Sequence, residues 1–235
     1  MSGHSKWATT RRKKESIDAK RSASFTKLAN IISIAARSGG DPETNFKLRI
    51  AIDKAKDCSL PKENIDRAIK RGTGELGGNQ IEEMVYEGFG PNGVAIVMEI
   101  MTDNKNRTAA DVKHILLKYG GSLGGPGSTM WMFTQQGVLE LEAEKLSDEQ
   151  ELELIDSGVA DIKTEGGITL FCSMENFEKV KTKVESLGLK IDDASLQYLA
   201  KEKVAAGDKE ETLEKLFDEL EACDDVKDFY SNVDL

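Results

Sequence analysis

The residues whose types and spacing could do chemistry crowd the front of the chain. The stretch "MSGHSKWATTRRKKESIDAKRSASFTKL" concentrates Lys and Arg at the head of a 235-residue chain whose formal net charge is −10. Residues 1–73 carry 17 Lys/Arg against 8 Asp/Glu, a net of +9, whereas residues 74–235 carry 15 against 34, a net of −19. Clustered cations attract polyanions by releasing condensed counterions, and an acidic remainder repels them and confines contact to the basic end. The chemistry this pattern offers is electrostatic capture of a polyanion; a merely solvated basic face is the plainer alternative.

Other chemistries find less support. "GTGELG", Gly72 to Gly77, has the spacing of a dinucleotide fingerprint, but it follows a helical pattern and leads toward strands. A phosphate needs the reverse order, with a helix N-terminus facing it. "GGSLGGPGST", Gly120 to Thr129, lacks the Lys of a phosphate loop and reads as a flexible surface loop. His4 and His114 are the two histidines, too few and too separated for a His-based triad or a His-rich metal set. Cys58, Cys172 and Cys223 show no CxxC spacing, which argues against a secreted disulfide framework or a zinc site and fits a reducing cytosol. Cys58 is expected to pack at a helix end. The many carboxylates, Asp224 and Asp225 among them, read as a solvated face rather than an acid/base or Mg²⁺ site. No catalytic residue, metal site or cofactor is expected. No apolar run is long enough to span a membrane, and the N-terminus lacks the apolar core of a secretory signal, so an unprocessed soluble chain is expected.

The elements that must position the cations follow from periodicity. Residues 9–23 have almost no apolar stripe and are expected to be mobile until a partner orders them as helix. Phe25, Leu28, Ile32 and Ala35 then fall at helical spacing up to Gly39 and Gly40. Asp41 and Pro42 read as N-cap and first residue of a second helix with Leu48, Ile52 and Ala55 inward. Pro61 opens a third, with Ile65, Ala68 and Ile69 inward, Arg67, Lys70 and Arg71 near its end, and Gly72 closing it. Short helices with short links predict a small bundle.

Beyond Gly78 the pattern turns to strands. "MVYEGF", "GPNG" and "VAIVMEIM" predict a hairpin, followed by a helix over about Arg107 to Tyr119 and a strand at "TMWMF". From Gly137 the order is βαββαβ, the ferredoxin-like unit. A strand near Val204, a helix from about Glu210 to Ala222 and the strand "VKDFYSNV" have no partner of their own. The fold class is therefore α+β: a basic helical domain over residues 1–79, then two ferredoxin-like α/β domains. One is discontinuous (80–136 plus 200–235) and the other, 137–199, is inserted into it. A linear string of three domains is the alternative. In "TDNKNRT", Asn106 or Thr108 can cap the following helix, which leaves Asn104, Lys105 and Arg107 as a candidate partner-contact loop.

Several motifs in order carry a more specific likeness. "GHSKW", "DAKR", "FTKL", "KLRIAIDKA", "PKENIDRAIKRG", "YEGFGPNGVA" and "TDNKNRT" together resemble the YebC/PmpR family over nearly the whole chain. "TTRRKKE" and "GGPGSTMWMF" depart from its usual forms, the first preserving charge, the second altering the glycine loop. The resemblance implies a three-domain, non-enzymatic cytoplasmic protein that needs no cofactor. It also implies a DNA-binding transcriptional regulator or, on a second view of the family, a ribosome-associated translation factor easing synthesis through proline-rich stretches, related to mitochondrial translational activators. Carried onto the matched motifs, nucleic-acid contact falls on Lys6, Arg11, Arg12, Lys13, Lys14, Lys20 and Arg21, with Trp7 stacking on a base or anchoring the head, and with Arg67, Lys70 and Arg71 completing the set. The partner is expected to be DNA or ribosomal RNA, and neither a membrane nor a small-molecule substrate. A protein-interaction adaptor whose basic head merely solubilises it is the third reading.

Overall fold

The computed structural model describes residues 17–143, 145–164 and 167–234, with side chains from residue 25 onward. Lys6, Trp7, Arg11, Arg12, Lys13 and Lys14 lie outside the described residues. Lys20 and Arg21 belong to the first helix, but their side chains are not among those described. The chain divides into two compact units, one of residues 1–131 with 203–235 and the other of residues 132–202.

The first unit begins with three helices. Helix α1 runs Ile17–Ala35, α2 Phe46–Asp57 and α3 Lys62–Gly72. The first starts earlier than Phe25 because a helix nucleated by the buried stripe propagates cheaply through the good helix formers that precede it. Leu28, Ile32 and Ala36 meet Leu48, Ile52, Ala55, Ile65 and Ala68 in one core. Asp41 is not the cap of α2. It closes a turn through Glu43 N–H (3.0 Å), and Asn45 caps the helix, its Oδ1 accepting from Leu48 N–H at 3.1 Å. Asn45 Nδ2 donates to the carbonyls of Ala35 and Gly39, both at 2.8 Å. An amide serves two helix ends at once, which the donor-less carboxylate of Asp41 could not.

Strands β1 (Glu82–Phe89) and β2 (Ala95–Thr102) form the expected hairpin, in register from Glu82↔Thr102 to Phe89↔Ala95. Its turn places Asn92 at φ 56° and Gly93 at φ 73°, left-handed positions that Asn and Gly tolerate best. Helix α4 (Lys105–Lys118) leads to the short strand β3, Ser122–Leu123. The third strand of this sheet is thus β3 and not "TMWMF", where Met130–Met132 form a single 3₁₀ turn. After the second unit, β8 (Val204–Ala205), α7 (Glu210–Ala222), β9 (Val226–Ser231) and β10 (Val233–Asp234) complete the first. The antiparallel sheet has the order β3-β1-β2-β9. Ile96, Met98 and Ile100 on one face of β2 pack against Val112 and Leu116 of α4 and Leu213, Leu216 and Phe217 of α7.

The second unit contains β4 (Phe133–Leu141), α5 (Asp148–Ser157), β5 (Val159–Lys163), β6 (Ile168–Ser173), α6 (Phe177–Ser186) and β7 (Ile191–Ala200). The sheet order β5-β6-β4-β7, all antiparallel, is that of the ferredoxin-like βαββαβ unit. Leu139, Leu154, Leu170, Val180 and Val184 form its centre. The protein is α+β, a helical region followed by two helix-backed sheets. Among the described residues no helix is long and apolar enough to cross a membrane.

Candidate nucleic-acid interface

Helix α3 presents the described cations of the candidate set. Ile65 and Ala68 turn inward, which leaves Arg67 and Lys70 exposed. Among the described residues neither makes an ion pair. Lys70 sits in the last turn of the helix, where a cation complements the helix dipole, so a binding role and a helix-stabilising role coexist there, whereas Arg67 lies mid-helix. Gly72 fixes the end of this helix against α1: a Cβ on it would stand 2.2 Å from the Ser33 carbonyl oxygen. "GTGELG" therefore starts where two helices touch and at a helix C-terminus, the wrong end to face a phosphate.

Arg71 is differently placed. Its Nη2 donates to Asp103 Oδ2 at 2.7 Å. Asp103 Oδ1 also pairs with Arg107 at 3.1 Å, and Arg107 Nη2 donates to Asp225 Oδ2 at 2.8 Å. The hydrogen bond to Asp225, followed by the charges of Asp225 and Asp103, outweighs partial burial and raises the guanidinium pKa. Thr108, buried, donates to Asp225 Oδ2 at 2.6 Å. Lys105 pairs with Glu82 at 2.7 Å. The N-cap of α4 is Asn104, whose Oδ1 accepts from Arg107 N–H at 3.1 Å, rather than Asn106 or Thr108. Thr108 is unavailable for capping because its hydroxyl serves the network instead. The loop is thus fully engaged: Asn104 caps, Lys105 pairs with Glu82 at the start of β1, and Arg107 ties α4 to Asp225, just ahead of β9. A phosphate reaching Arg71, Lys105 or Arg107 must displace a carboxylate that already holds it.

Asp103, Arg71, Arg107, Asp224 and Asp225 line a cleft of about 460 Å³ between the helices and the first sheet. At its side the Lys27 amine donates to the Glu221 carbonyl at 2.6 Å, ending α7 from another helix. Burial lowers the pKa of Lys27 against the pull of Asp228 and Glu221. Burial and the neighbouring Asp225 raise that of Asp224. Lys27, Asp103 and Asp225 escape sequence reading as a set because their partners lie far along the chain. The motifs "FTKL" and "TDNKNRT" were the available signal.

The glycine loop is held from below. Glu87 of β1, 7% exposed, accepts from Gly127 N–H at 2.6 Å and from Thr129 and Met130 N–H, both at 2.7 Å. Burial would raise its pKa, but these three backbone donors outweigh it and hold the carboxyl below the usual range. That anchorage replaces the expected flexibility, and it uses the N–H groups that "TMWMF" would need for a ladder. His114 is exposed on α4, and Cys58, at the C-cap of α2, is exposed rather than packed.

Fold and site together define an α+β protein with a cation-bearing helical region and two antiparallel sheets backed by helices. Residues 5–75 match the description "TACO1/YebC protein N-terminal domain" and residues 81–233 "TACO1/YebC second and third domain". The chain belongs to the TACO1/YebC family, as its motifs suggested. It is 49% identical over 240 residues to a Thermoanaerobacter pseudethanolicus protein described as "Probable transcriptional regulatory protein", an alignment covering 100% of this chain and 98% of that one. A Thermotoga maritima protein of the same description is 46% identical over 241 residues, covering 100% and 94%. The crystal structure of the conserved hypothetical protein Aq1575 from Aquifex aeolicus superimposes with a TM-score of 0.80 at 39% identity, covering 97% of this chain and 96% of that one.

Proposed function

We propose that this protein is a non-enzymatic, nucleic-acid-binding regulator of gene expression that captures its polyanion with the basic N-terminal region. The observation that carries this reading is the division of charge, +9 over residues 1–73 and −19 over residues 74–235. Phosphates are drawn to one end and repelled from the rest. Lys6, Arg11, Arg12, Lys13, Lys14, Lys20 and Arg21 supply the contacts, with Trp7 available for stacking, and exposed Arg67 and Lys70 extend them. Arg71 contributes less, because it gives up Asp103 to bind. Asn104, Lys105 and Arg107 serve a partner only by a similar exchange. The description of the relatives as transcriptional regulators supports DNA as the partner.

The test is the salt dependence of binding by the full-length protein. Four to six phosphate contacts give a slope of log K against log salt of about −3 to −5. A slope near zero rejects capture by charge and leaves the adaptor reading. Crosslinking in cells with sequencing of the recovered nucleic acid identifies the partner. Discrete promoter DNA supports transcriptional control, and predominantly ribosomal RNA moves the protein to translation.

A further inference from the structure

Asn30 of α1 is only 6% exposed, and among the described residues its side-chain amide makes no hydrogen bond. It lines the cleft of about 460 Å³ that Arg71, Asp103 and Arg107 also line, so the little access it keeps opens into that space. A buried amide is costly to leave unpaired, and this one can be satisfied only by something that enters the cleft. The charge there is unbalanced as well. The lining carries two guanidinium groups, Arg71 and Arg107, and four carboxylates, Asp103, Asp111, Asp224 and Asp225. Both guanidinium groups are engaged by Asp103 and Asp225. Asp111, one turn beyond Arg107 on α4, and Asp224 make no ion pair among the described residues. Lys27 does not fill the gap. Its amine is held by the Glu221 carbonyl at 2.6 Å, and partial burial and Asp225 outweigh its pull and raise the Asp224 pKa.

Two uncompensated negative charges repel a phosphate or a carboxylate. Water can satisfy an amide but not two charges. Among the described residues no three His, Cys, Asp or Glu side chains are grouped to hold a metal ion. A primary ammonium group supplies both missing things, positive charge for the carboxylates and N–H donors for Asn30 Oδ1. The concave volume suits a small molecule. We propose that this cleft binds a small organic cation with two or more primary ammonium groups, a diamine or polyamine, on Asn30, Asp111 and Asp224. The site takes a cation where the nucleic-acid reading places a polyanion on the basic end, and it stands independently of that reading.

The test is isothermal titration calorimetry of the full-length protein with putrescine and with spermidine at fixed ionic strength. Tetramethylammonium, which carries charge but no N–H, and magnesium chloride are the comparisons. Wild type is expected to bind a diamine or polyamine saturably, and tetramethylammonium about tenfold more weakly or not at all. Asp224→Asn and Asn30→Leu should each lose about tenfold in affinity. Asn30→Leu should melt no lower than wild type, because the amide it removes has no partner, so its lost binding is not lost folding. Glu43→Gln, the same loss of one charge outside the cleft lining, should bind as wild type does. Unchanged affinity in Asp224→Asn or Asn30→Leu, or an equal loss in Glu43→Gln, would mean diffuse attraction to an acidic protein and overturn the site. So would the absence of saturable binding, or binding of magnesium that displaces the amine at equal concentration.

Discussion

The Arg107 guanidinium and the Asp225 carboxylate meet at 2.8 Å although 118 positions separate them in the chain. The same carboxylate oxygen accepts from Thr108, and the other arm of the network reaches Arg71 of the helical region through Asp103. One charge chain therefore links the third helix, the start of α4 and the turn before β9. Asp225 is the end of that chain with least access to water, its side chain 14% exposed against 49% for Arg107.

Asp225→Ala removes the nearest acceptor of the Thr108 hydroxyl and one of the two carboxylates that hold Arg107, and should cost about 1–3 kcal/mol of stability. Arg107→Ala, at a half-exposed site screened by solvent, should cost less, roughly 0.5–1 kcal/mol. Urea unfolding of the two single variants and the double variant measures the coupling. Strict additivity would show that the pair contributes nothing jointly.

Glu87 makes a pH prediction of definite sign. Its folded pKa lies below the unfolded value, about 4.3, so the unfolded chain binds more protons in acid. The stabilisation is complete above the unfolded pKa and is lost as pH falls through the folded one. Glu87→Gln, which cannot accept from three backbone N–H groups with a charged carboxylate, should lose about 1–3 kcal/mol at neutral pH. The gap from wild type, followed by urea titration, should narrow below about pH 4. A gap that stays constant with pH would assign the loss to packing instead.

Asn45→Asp keeps the cap on Leu48 N–H and removes the two bonds to Ala35 and Gly39, so it should destabilise by about 1 kcal/mol; Asn45→Ala, which loses the cap as well, should cost about 2. Thermal melts of the two variants check the order. Equal losses would mean that the amide donors contribute nothing.

Gly72→Ala offers a test in which local and tertiary effects have opposite signs. Helix propensity alone would favour Ala by about 1 kcal/mol. The new Cβ, 2.2 Å from the Ser33 carbonyl oxygen, forces α1 and α3 apart, and overpacking of this kind costs about 1–3 kcal/mol. A net loss of stability is expected; a gain would show that the two helices separate freely.

Arg67→Ala combined with Lys70→Ala should make the salt slope shallower by about 1.4 to 1.8 if both cations meet phosphate. Lys105→Ala, removing a cation already paired with Glu82, should leave the slope nearly unchanged. If the two variants reverse this order, the contact surface lies on the hairpin side and not on α3.

The sequence by itself determined the helices, the βαββαβ order, the charge division and the family. Each rests on local information: the period of Leu28, Ile32, Leu48, Ile52 and Ile65, the Asn92-Gly93 turn, and the plain count of Lys and Arg. Tertiary structure decided which charges remain available. Arg67 and Arg71 are indistinguishable as letters four apart on one helix, yet one faces solvent while the other meets Asp103. Tertiary structure also decided that Asn45 rather than Asp41 caps α2, because the choice depends on the carbonyls of Ala35, at the end of α1, and Gly39 that its amide must reach. It decided as well that the glycine loop is held by Glu87, a residue whose place in an alternating strand gives no hint of three backbone donors arriving from forty residues away. Propensity and period act between neighbours in the chain, whereas ion pairs, caps made in trans and ring exposure depend on what folding brings alongside.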